Sequence, residues 1–417
     1  MEENYEDIMQ KLRKYNQNDF IEVVNKLDSI DRRFILNQVS QIDFEEIKSL
    51  YNDIGKNEEK TNSIIEPINA IDKSKLSEEE IKKYEDIGTK IIKENKFAVI
   101  TMAGGQGTRL GFDGPKGAFE FDIVNHKSIF EVLCDKFKEA YNKYGVYVYW
   151  YIMTSVENND ATVEFFKVND YFGYPKEKII FFIQGKKPML TPNGNLIVNE
   201  DKRLKLASDG HGGIFRILQE EKIVDEMKKE GIEWIYMGGV DNVLAKLIDP
   251  LFIGVAKDKN MLAAGKSVIK NCPEEKVGVF VKKNGRPSVV EYIEISKEMS
   301  EEKNEDGELK YGEGHILCNL FNIEVIEKTS KEKLPYHSQF KKCNYVDKEG
   351  TIVRPDKPNA YKFENFLFDV FEKLDDMVIL RVKREEEFAP IKNAEGVDSP
   401  ESARKLYNDY YNKINKV

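Results

Sequence analysis

Apolar residues recur at two different spacings along the 417-residue chain, and the change of spacing divides it. Up to about residue 90 they follow a helical repeat within a charge-rich sequence, as at Ile8, Leu12 and Tyr15. Ser77 stands before a strongly periodic stretch and is expected to cap a helix. The pattern predicts a helical N-terminal region, and no candidate chemistry is found in it.

From Phe97 onward, short apolar runs alternate with amphipathic stretches. The runs predict strands at 97–103, 147–153, 178–183 and 234–237, and the amphipathic stretches predict helices at 128–144, 160–169 and 213–230. Strands that alternate with helices favour an α/β fold, built on a parallel sheet with helices on both faces. In such sheets ligands bind beyond the carboxyl ends of the strands.

The rest of the chain is richer in strand patterns. Runs at 261–268 and 277–282 lead to an Asn284-Gly285 hairpin turn and a strand over 288–295, whose alternation places Glu291 and Ile293 on one face. A helix is expected around Phe363, Phe366, Leu367 and Val370, and the charged run 381–387 is expected on a solvated surface. We therefore predict three regions, namely residues 1–90, a core at 91–335 and a small α+β region at 336–417.

A glycine-rich segment, FAVITMAGGQGTRLGFDGPKG, begins with the first of these strands. Gly104, Gly105, Gly107 and Gly111 fall within eight positions, with Arg109 among them and Lys116 after them. Glycines permit positive φ and let backbone N–H groups approach a ligand, while an Arg and a Lys add positive charge. A loop that only joined a strand to a helix would need neither cation. The segment therefore predicts a cradle for a polyphosphate.

Three familiar glycine-rich loops do not match this spacing. Leu110 stands where a dinucleotide fingerprint needs a third glycine, and Lys116 is followed by Gly117 where a Walker loop needs serine or threonine. A kinase-type loop does not place its lysine in a Pro-Lys-Gly turn. A nicotinamide-dependent oxidoreductase is disfavoured on the same grounds.

Polar residues follow two further predicted strands. Gln184-Gly185 closes one and Asp241-Asn242 follows another, so both pairs are expected at the same sheet edge as the glycine loop. The amide of Gln184 can donate to and accept from a base edge. A second glycine-rich stretch, ASDGHGG at 207–213, precedes a helix and offers N–H groups to an anion or a base.

Composition and charge limit the kinds of partner and metal site that we expect. Lys and Arg number 64 against 74 acidic residues, a formal charge of −10, which disfavours a nucleic-acid partner but not a small anionic substrate. The four cysteines form no CxxC pair and the four histidines are not at ligand spacing, so a zinc site is not expected. The N-terminus is acidic and polar, and no apolar run reaches membrane-spanning length. We expect a cytoplasmic protein without a membrane partner.

The glycine loop also carries a family resemblance. AGGQGTRLG followed by PKG resembles the signature of the UDP-sugar pyrophosphorylases, and the likeness is greatest to the eukaryotic-type UDP-N-acetylglucosamine pyrophosphorylases. Their motifs recur in order from about Phe97 to Asn393. The resemblance implies a Rossmann-like, mixed but mainly parallel sheet of the nucleotide-diphospho-sugar transferase (GT-A-like) type. The region 91–335 would then bind nucleotide and sugar, and the region 336–417 would close the site.

The resemblance also implies roles for individual residues. It places Ala103, Gly104 and Gly105 in the substrate loop, uracil at Gln184 and Gly210, and Mg²⁺ at Asp241. Sugar hydroxyls and the acyl group would lie at Glu291 and Asn319, and phosphates near Arg109, Lys116, Lys362 and Lys392. One position departs from the pattern, because the residue that faces the sugar is usually Asn and is His211 here. A Gly-His-Gly loop is more like the UDP-glucose branch.

The activity implied is that of a uridylyltransferase, with UTP and a hexose 1-phosphate as substrates and Mg²⁺ as cofactor. The sugar phosphate would attack the α-phosphorus of UTP in line, and N-acetylglucosamine 1-phosphate is favoured. A phosphate monoester with a second pKa of about 6 is mostly dianionic at neutral pH, so neither a protein nucleophile nor a general base is needed. A UDP-glucose or broad UDP-sugar pyrophosphorylase is the alternative within this class. A non-catalytic nucleotide-binding regulator would lack Arg109, Lys116 or Asp241, and all three are present.

Overall fold

The computed structural model describes residues 5–55, 63–122 and 124–414. Its helices are α1 (Tyr5–Lys14), α2 (Asn18–Lys26), α3 (Ser29–Ser40), α4 (Phe44–Asn52), α5 (Glu78–Lys93), α6 (Ile129–Tyr144), α7 (Asn159–Val168), α8 (Ile214–Glu220), α9 (Ile223–Lys229), α10 (Pro250–Asp258), α11 (Lys297–Glu301), α12 (Ile323–Ser330), α13 (Arg384–Glu387) and α14 (Pro400–Ile414).

The strands are β1 (Ile65–Pro67), β2 (Ile71–Asp72), β3 (Phe97–Met102), β4 (Glu120–Asp122), β5 (Lys127–Ser128), β6 (Tyr149–Thr154), β7 (Ile179–Ile183), β8 (Lys186–Pro188), β9 (Leu206–Ser208), β10 (Trp234–Gly239), β11 (Ala263–Ile269), β12 (Val279–Lys283), β13 (Arg286–Val290), β14 (Glu313–Asn322), β15 (His337–Lys341), β16 (Tyr345–Val346), β17 (Ile352–Val353), β18 (Ala360–Glu364) and β19 (Val378–Arg381).

The chain packs into two compact units, each assembled from three stretches of sequence. The first unit takes Met1–Asn62, Gly185–Gly213 and Leu334–Leu367, and the second takes Ser63–Gln184, Ile214–Lys333 and Phe368–Val417. The division into residues 1–90, 91–335 and 336–417 that the sequence predicts stays a prediction.

A mixed sheet forms the centre of the second unit. Its main path runs β2-β19-β11-β14-β10-β3-β6-β7. Along this path the neighbours are parallel except where β14 pairs antiparallel with β10 and β11. The hairpin of β12 and β13 branches from β14, and Asn284 and Gly285 make its turn with positive φ, as the sequence predicts. The predicted mainly parallel mixed sheet is confirmed.

Side chains of the central strands are almost completely withdrawn from solvent. All six residues of β3 are buried, as are the first five of β10. Burial on both faces explains why the sequences of these strands are apolar runs without polar alternation. Helix α5 begins at the predicted cap, where Ser77 and Glu80 form a capping box. It packs closely on α10 at Gly88. A Cβ added there would lie only 1.9 Å from the carbonyl oxygen of Pro250, so the contact requires glycine.

The first unit has its own hydrophobic core. Buried residues of α1 to α4, including Ile8 and Leu12, pack with Leu190, Leu204 and Phe363 from the two later stretches. The predicted helical spacing of the N-terminal residues is therefore confirmed. The described part of the first unit also contains three two-stranded sheets, formed by β8 with β9, β15 with β18 and β16 with β17.

Three local predictions are wrong. The helix expected around Phe363 is a strand, β18, followed by a 3₁₀ helix at Leu367–Lys373. Pairing of β18 with β15 prevails there over the apolar spacing. The helix expected over 213–230 is interrupted at Lys222, whose φ is +59°. The strand expected over 288–295 ends at Val290, and Ile293 is exposed, so Glu291 and Ile293 do not share a strand face.

The charged run 381–387 is a solvated surface only in part, since Lys383 and Glu385 are exposed but its last residue is not. Glu387 is fully buried and forms an ion pair with Lys266, which is itself fully buried and lies 2.7 Å from Asp249. Lys73 and Lys246 approach the other carboxylate oxygen of Glu387 at 3.5 and 3.6 Å. The buried charges are compensated within this cluster, which ties β11 to the segment before α10 and to α13.

No helix among the described residues is both long enough and apolar enough to cross a membrane.

Candidate active site

The glycine loop of the second unit follows β3 and folds back on itself. The N–H of Gly107 donates to the carbonyl oxygen of Gly114 at 2.9 Å, and that of Lys116 donates to Gly105 at 3.0 Å. Gly111 has a φ of +70°, which allows the reversal. Beyond the Cβ position of Gly105 nothing lies within 4 Å. The loop therefore presents open backbone at Gly105 and returns the predicted cation Lys116 beside it.

Asn158 holds this loop in place and was not identified from the sequence. Its amide nitrogen donates to the carbonyl oxygens of Ala103 and Gly105 at 2.9 and 3.2 Å, and its oxygen accepts from the N–H of Ser155 at 2.8 Å. The side chain is fully buried. Ala103 is fixed further, since its N–H donates to Met153 at 2.7 Å. An asparagine in a loop gives no sequence signal for such a role.

The structure brings Gln184 to the same loop. Its backbone N–H donates to Thr154 at 2.8 Å, at the end of β6, and its side-chain Oε1 lies 2.7 Å from the position of a Cβ added at Gly104. Any larger residue at Gly104 would displace the glutamine amide. The predicted base-reading residue and the predicted phosphate loop are therefore neighbours.

The predicted phosphate-binding Lys116 and the predicted Mg²⁺ ligand Asp241 lie close to each other. Lys116 Nζ lies 3.6 Å from Asp241 Oδ2, and both side chains are partly buried, with 16% and 26% of their surface exposed. Asp241 follows β10, the parallel neighbour of β3, so the two groups converge at the carboxyl ends of adjacent strands. Arg109 lies on a short 3₁₀ helix at Thr108–Leu110 and is exposed.

A backbone pairing connects Asp241 to the C-terminal part of the same unit. The N–H of Ile391 donates to the carbonyl oxygen of Asp241 at 3.0 Å. The Asn242 side chain, which is buried, donates to Glu387 and accepts from Ala389 at 2.8 and 2.9 Å. This pairing places Lys392 one residue beyond the contact with Asp241. Lys392 Nζ lies 3.7 Å from Asp398 Oδ2.

The two predicted sugar residues lie in the second unit, on and beside the β14 region. Asn319 is fully buried on β14, opposite Met237 of β10. Glu291 Oε1 lies 3.2 Å from the Cβ position of Gly278, and the Gly278 carbonyl accepts the N–H of His315 on β14 at 2.8 Å. Gly278 thus connects Glu291 to the strand that carries Asn319.

The remaining predicted residues lie in the first unit. Gly210 has a φ of +85°, and a Cβ there would lie 2.2 Å from the carbonyl oxygen of Asn365, so only glycine fits. The N–H of Leu367 donates to His211 Nδ1 at 3.0 Å, which makes Nδ1 the acceptor nitrogen of the ring. Lys362 Nζ lies 2.7 Å from Glu364 on the same strand.

A bound metal would depend on few protein ligands. The described part of the chain contains no group of three or more His, Cys, Asp or Glu side chains placed to hold an ion. Asp241 is a partly exposed carboxylate beside the loop, and Mg²⁺ commonly takes one or two protein carboxylates together with water and phosphate oxygens. The site therefore fits Mg²⁺ delivered with a nucleotide rather than a metal held by the protein alone.

Known proteins resemble this chain over most of its length. The family model described as UTP–glucose-1-phosphate uridylyltransferase matches residues 44–405. A probable UDP-N-acetylglucosamine pyrophosphorylase of Dictyostelium discoideum is 32% identical, with 98% of this chain and 88% of that one covered. The UDP-N-acetylglucosamine pyrophosphorylase of Saccharomyces cerevisiae is 38% identical over 78% of this chain and 70% of that one.

A solved structure agrees with the sequence relatives. The uridine diphosphate N-acetylglucosamine pyrophosphorylase of Trypanosoma brucei, in complex with an inhibitor, superposes with a TM-score of 0.81 at 30% identity and covers 95% of this chain and 83% of that one. The range 44–405 matched by the family model includes every predicted site residue. The chain therefore belongs to the UDP-sugar pyrophosphorylases, nucleotidyltransferases that act on UTP and sugar 1-phosphates.

Proposed function

We propose that this enzyme forms UDP-N-acetylglucosamine and pyrophosphate from UTP and N-acetylglucosamine 1-phosphate. The observation that carries the proposal is the approach of Lys116 to Asp241, 3.6 Å apart beside the glycine loop. A cation and a carboxylate at one sheet edge suit a magnesium-bound triphosphate. The names of the 32–38% identical relatives support N-acetylglucosamine as the sugar.

The main obstacle to the reaction is repulsion between a dianionic sugar phosphate and a triphosphate. Positive charge and alignment are therefore the expected means of catalysis. We assign Lys116 and Arg109 to the phosphates of UTP, where Lys116 compensates charge at the α-phosphate as pyrophosphate departs. Asn158 keeps the N–H groups of the loop in position through the carbonyls of Ala103 and Gly105. Gln184, beside Gly104, is assigned to the uracil edge.

Asp241 is the residue assigned to hold Mg²⁺. Such an ion, when bound, neutralises phosphate charge and orients the triphosphate. The pairing of Ile391 with Asp241 fixes the start of the segment that carries Lys392, and we assign Lys392 to the incoming phosphate. Lys362 is assigned to the phosphates as well, and it must then exchange its Glu364 partner for a substrate oxygen.

Pyrophosphate release from UTP tests the reaction. The 1-phosphates of N-acetylglucosamine, glucose, galactose and N-acetylgalactosamine are offered in parallel, with and without Mg²⁺. We expect the largest kcat/KM for N-acetylglucosamine 1-phosphate, with glucose 1-phosphate a competitor within about 1–3 kcal/mol. Absence of pyrophosphate with all four sugars would refute the proposed activity.

Lys116→Ala should lower kcat more than it weakens UTP binding. The reason is that charge at the α-phosphate is rearranged only during transfer, so the loss appears in the transition state. Steady-state kinetics with varied UTP measure the two effects separately. Lys82→Ala, which removes an exposed lysine paired with Asp86, serves as the control and should leave both constants unchanged. A raised KM for UTP at normal kcat would mean that Lys116 stabilises bound UTP and the transition state equally, which would contradict this prediction.

His211 is the observation that favours the alternative sugar, glucose. Its Nδ1 is occupied by the N–H of Leu367, and an asparagine Oδ1 reaches the same position, so His211→Asn can keep that bond with a smaller side chain. We expect the variant to shift the kcat/KM ratio towards the N-acetylated sugar, with the KM for UTP unchanged. An unaltered ratio would place the discrimination at other residues.

A cytoplasmic location is part of the proposal. All four cysteines are free thiols, and three of them, Cys134, Cys318 and Cys343, are buried, which suits a reducing compartment. We propose neither a nucleic-acid nor a membrane partner.

A further inference from the structure

A buried histidine touches the predicted sugar residue Asn319. His315 and Asn319 lie four residues apart on β14, with His315 Nε2 at 2.9 Å from Asn319 Oδ1. The asparagine is fully buried and the histidine is 8% exposed. Neither the resemblance nor the relatives' names assign a role to this histidine.

The histidine ring is held in an aromatic environment. Phe280 packs edge-to-face on it at 4.8 Å between centroids, and Phe368 and Phe371 lie at 5.9 and 6.1 Å. Burial lowers the pKa of His315 to about 4, so the ring is neutral at physiological pH. A neutral ring carries one N–H, and a proton on Nε2 donates to the amide oxygen of Asn319.

This contact leaves the other end of the amide without a partner. Asn319 Nδ2 has no hydrogen-bond partner among the described residues, although it is buried. A buried donor without an acceptor costs about 1–3 kcal/mol, so such a group in a native fold requires an explanation. A bound ligand that offers an acceptor oxygen would supply it. Glu291, the other predicted sugar residue, is connected to the same strand through Gly278.

We propose that His315 is a positioning residue that fixes the orientation of the Asn319 amide and so aims Nδ2 at an acceptor oxygen of the bound sugar 1-phosphate. The inference rests on the proposed function, because it takes Asn319 as a sugar contact. Without the histidine the amide can rotate and present either its oxygen or its nitrogen. The sugar would then lose a donor that is otherwise preset.

Two variants at His315 separate positioning from packing. In His315→Gln an amide N–H can occupy nearly the place of Nε2, whereas His315→Leu removes the donor but keeps an apolar side chain. We expect His315→Leu to lower kcat/KM for N-acetylglucosamine 1-phosphate about tenfold, mainly through KM, with the KM for UTP within about twofold. His315→Gln should stay within about threefold of the wild type. Equal thermal destabilisation in both variants with wild-type sugar kinetics would overturn the proposal.

A double-mutant cycle tests whether His315 acts through Asn319. If it does, His315→Leu should cost little in an Asn319→Ala background, and additive losses would contradict the proposal. The panel of sugars then identifies the acceptor. A loss confined to N-acetylglucosamine 1-phosphate indicates the acyl oxygen, and an equal loss with glucose 1-phosphate indicates a ring hydroxyl.

The protonated ring nitrogen provides a readout that does not depend on activity. The chain has four histidines, so ¹⁵N-histidine spectra can be assigned by loss of the His315 signals in His315→Gln. We expect the proton on Nε2, and a shift of that signal in Asn319→Ala. A proton on Nδ1 would overturn the proposal, since Nε2 would then accept from the amide. A wild type inactive with every sugar would refute the proposed function, whereas the proton position would still decide the arrangement of this pair.

Discussion

Lys266→Met is expected to lower the free energy of unfolding by about 3–5 kcal/mol, the usual cost of removing one partner from a buried ion pair. The ammonium lies 2.7 Å from Asp249 and also pairs with Glu387, and all three side chains are nearly or fully buried. The variant leaves two carboxylates in the interior, and the ion pairs of Lys73 and Lys246 at 3.5 and 3.6 Å are with Glu387. Urea denaturation followed by circular dichroism measures the loss.

The pH dependence of this loss has a definite sign. In the wild type burial opposes ionisation of Asp249, but Lys266 outweighs it and lowers the pKa of that carboxyl to about 2. Its stabilisation is therefore complete above the ordinary carboxyl pKa of about 4 and is lost as the pH falls through the folded value. In Lys266→Met the buried Asp249 carboxyl loses this partner, so burial raises its pKa instead, and the penalty is largest at neutral pH and shrinks in acid.

Two comparisons make the stability prediction specific. Lys82→Met removes an exposed lysine from its pair with Asp86 and should leave the free energy of unfolding nearly unchanged. The triple variant Lys266→Met, Asp249→Asn and Glu387→Gln removes the buried charges together and should recover part of the loss. A wild-type-to-variant difference that stayed constant between about pH 8 and about pH 5 would contradict the assignment.

Asp241→Asn is expected to reduce turnover by on the order of 10²-fold or more, about 2.7 kcal/mol of activation free energy. The substitution keeps the shape of the side chain and removes the charge assigned to Mg²⁺. The backbone bond from Ile391 to Asp241 does not involve the side chain, so the local fold should persist. Turnover at saturating UTP over a Mg²⁺ titration measures the effect.

A surface carboxylate gives the matched control for Asp241. Asp135 pairs with Lys127 and Lys138 at 2.6 Å, so Asp135→Asn removes a paired charge from helix α6. This control should leave turnover and its dependence on Mg²⁺ unchanged. Near-normal turnover of Asp241→Asn at saturating Mg²⁺ would place the metal elsewhere.

The parts of the site that depend on backbone conformation could be predicted from the sequence. The glycine loop could be recognised as a phosphate-binding candidate, because closely spaced glycines beside an Arg and a Lys have few purely structural explanations. The order of strands and helices places Gln184 and Asp241 at the edge of the sheet that carries the loop. Both are found there, at Gly104 and at Lys116 respectively.

Residues that act through tertiary contacts could not be predicted in this way. Asn158 and Asn242 look like ordinary loop asparagines, yet each holds two backbone groups from a distant part of the chain. Glu387 lies in a charged run, which gives no sign that it is buried. In the structure it is fully buried and forms an ion pair with Lys266. The spacing of Phe363 and Val370 fits a helix, and pairing with β15 makes the first of them part of a strand.

The interleaving of the two units has a consequence for synthesis on the ribosome. Helices α1 to α4 are made first, but their core includes Leu190, Val346 and Phe363. The last stretch of the first unit ends at Leu367, and the second unit continues to the end of the chain. A nascent chain must therefore carry unfinished apolar surfaces until most of its residues have emerged, a state prone to aggregation. Neither unit should fold from a contiguous fragment, and chaperone dependence should peak late in translation.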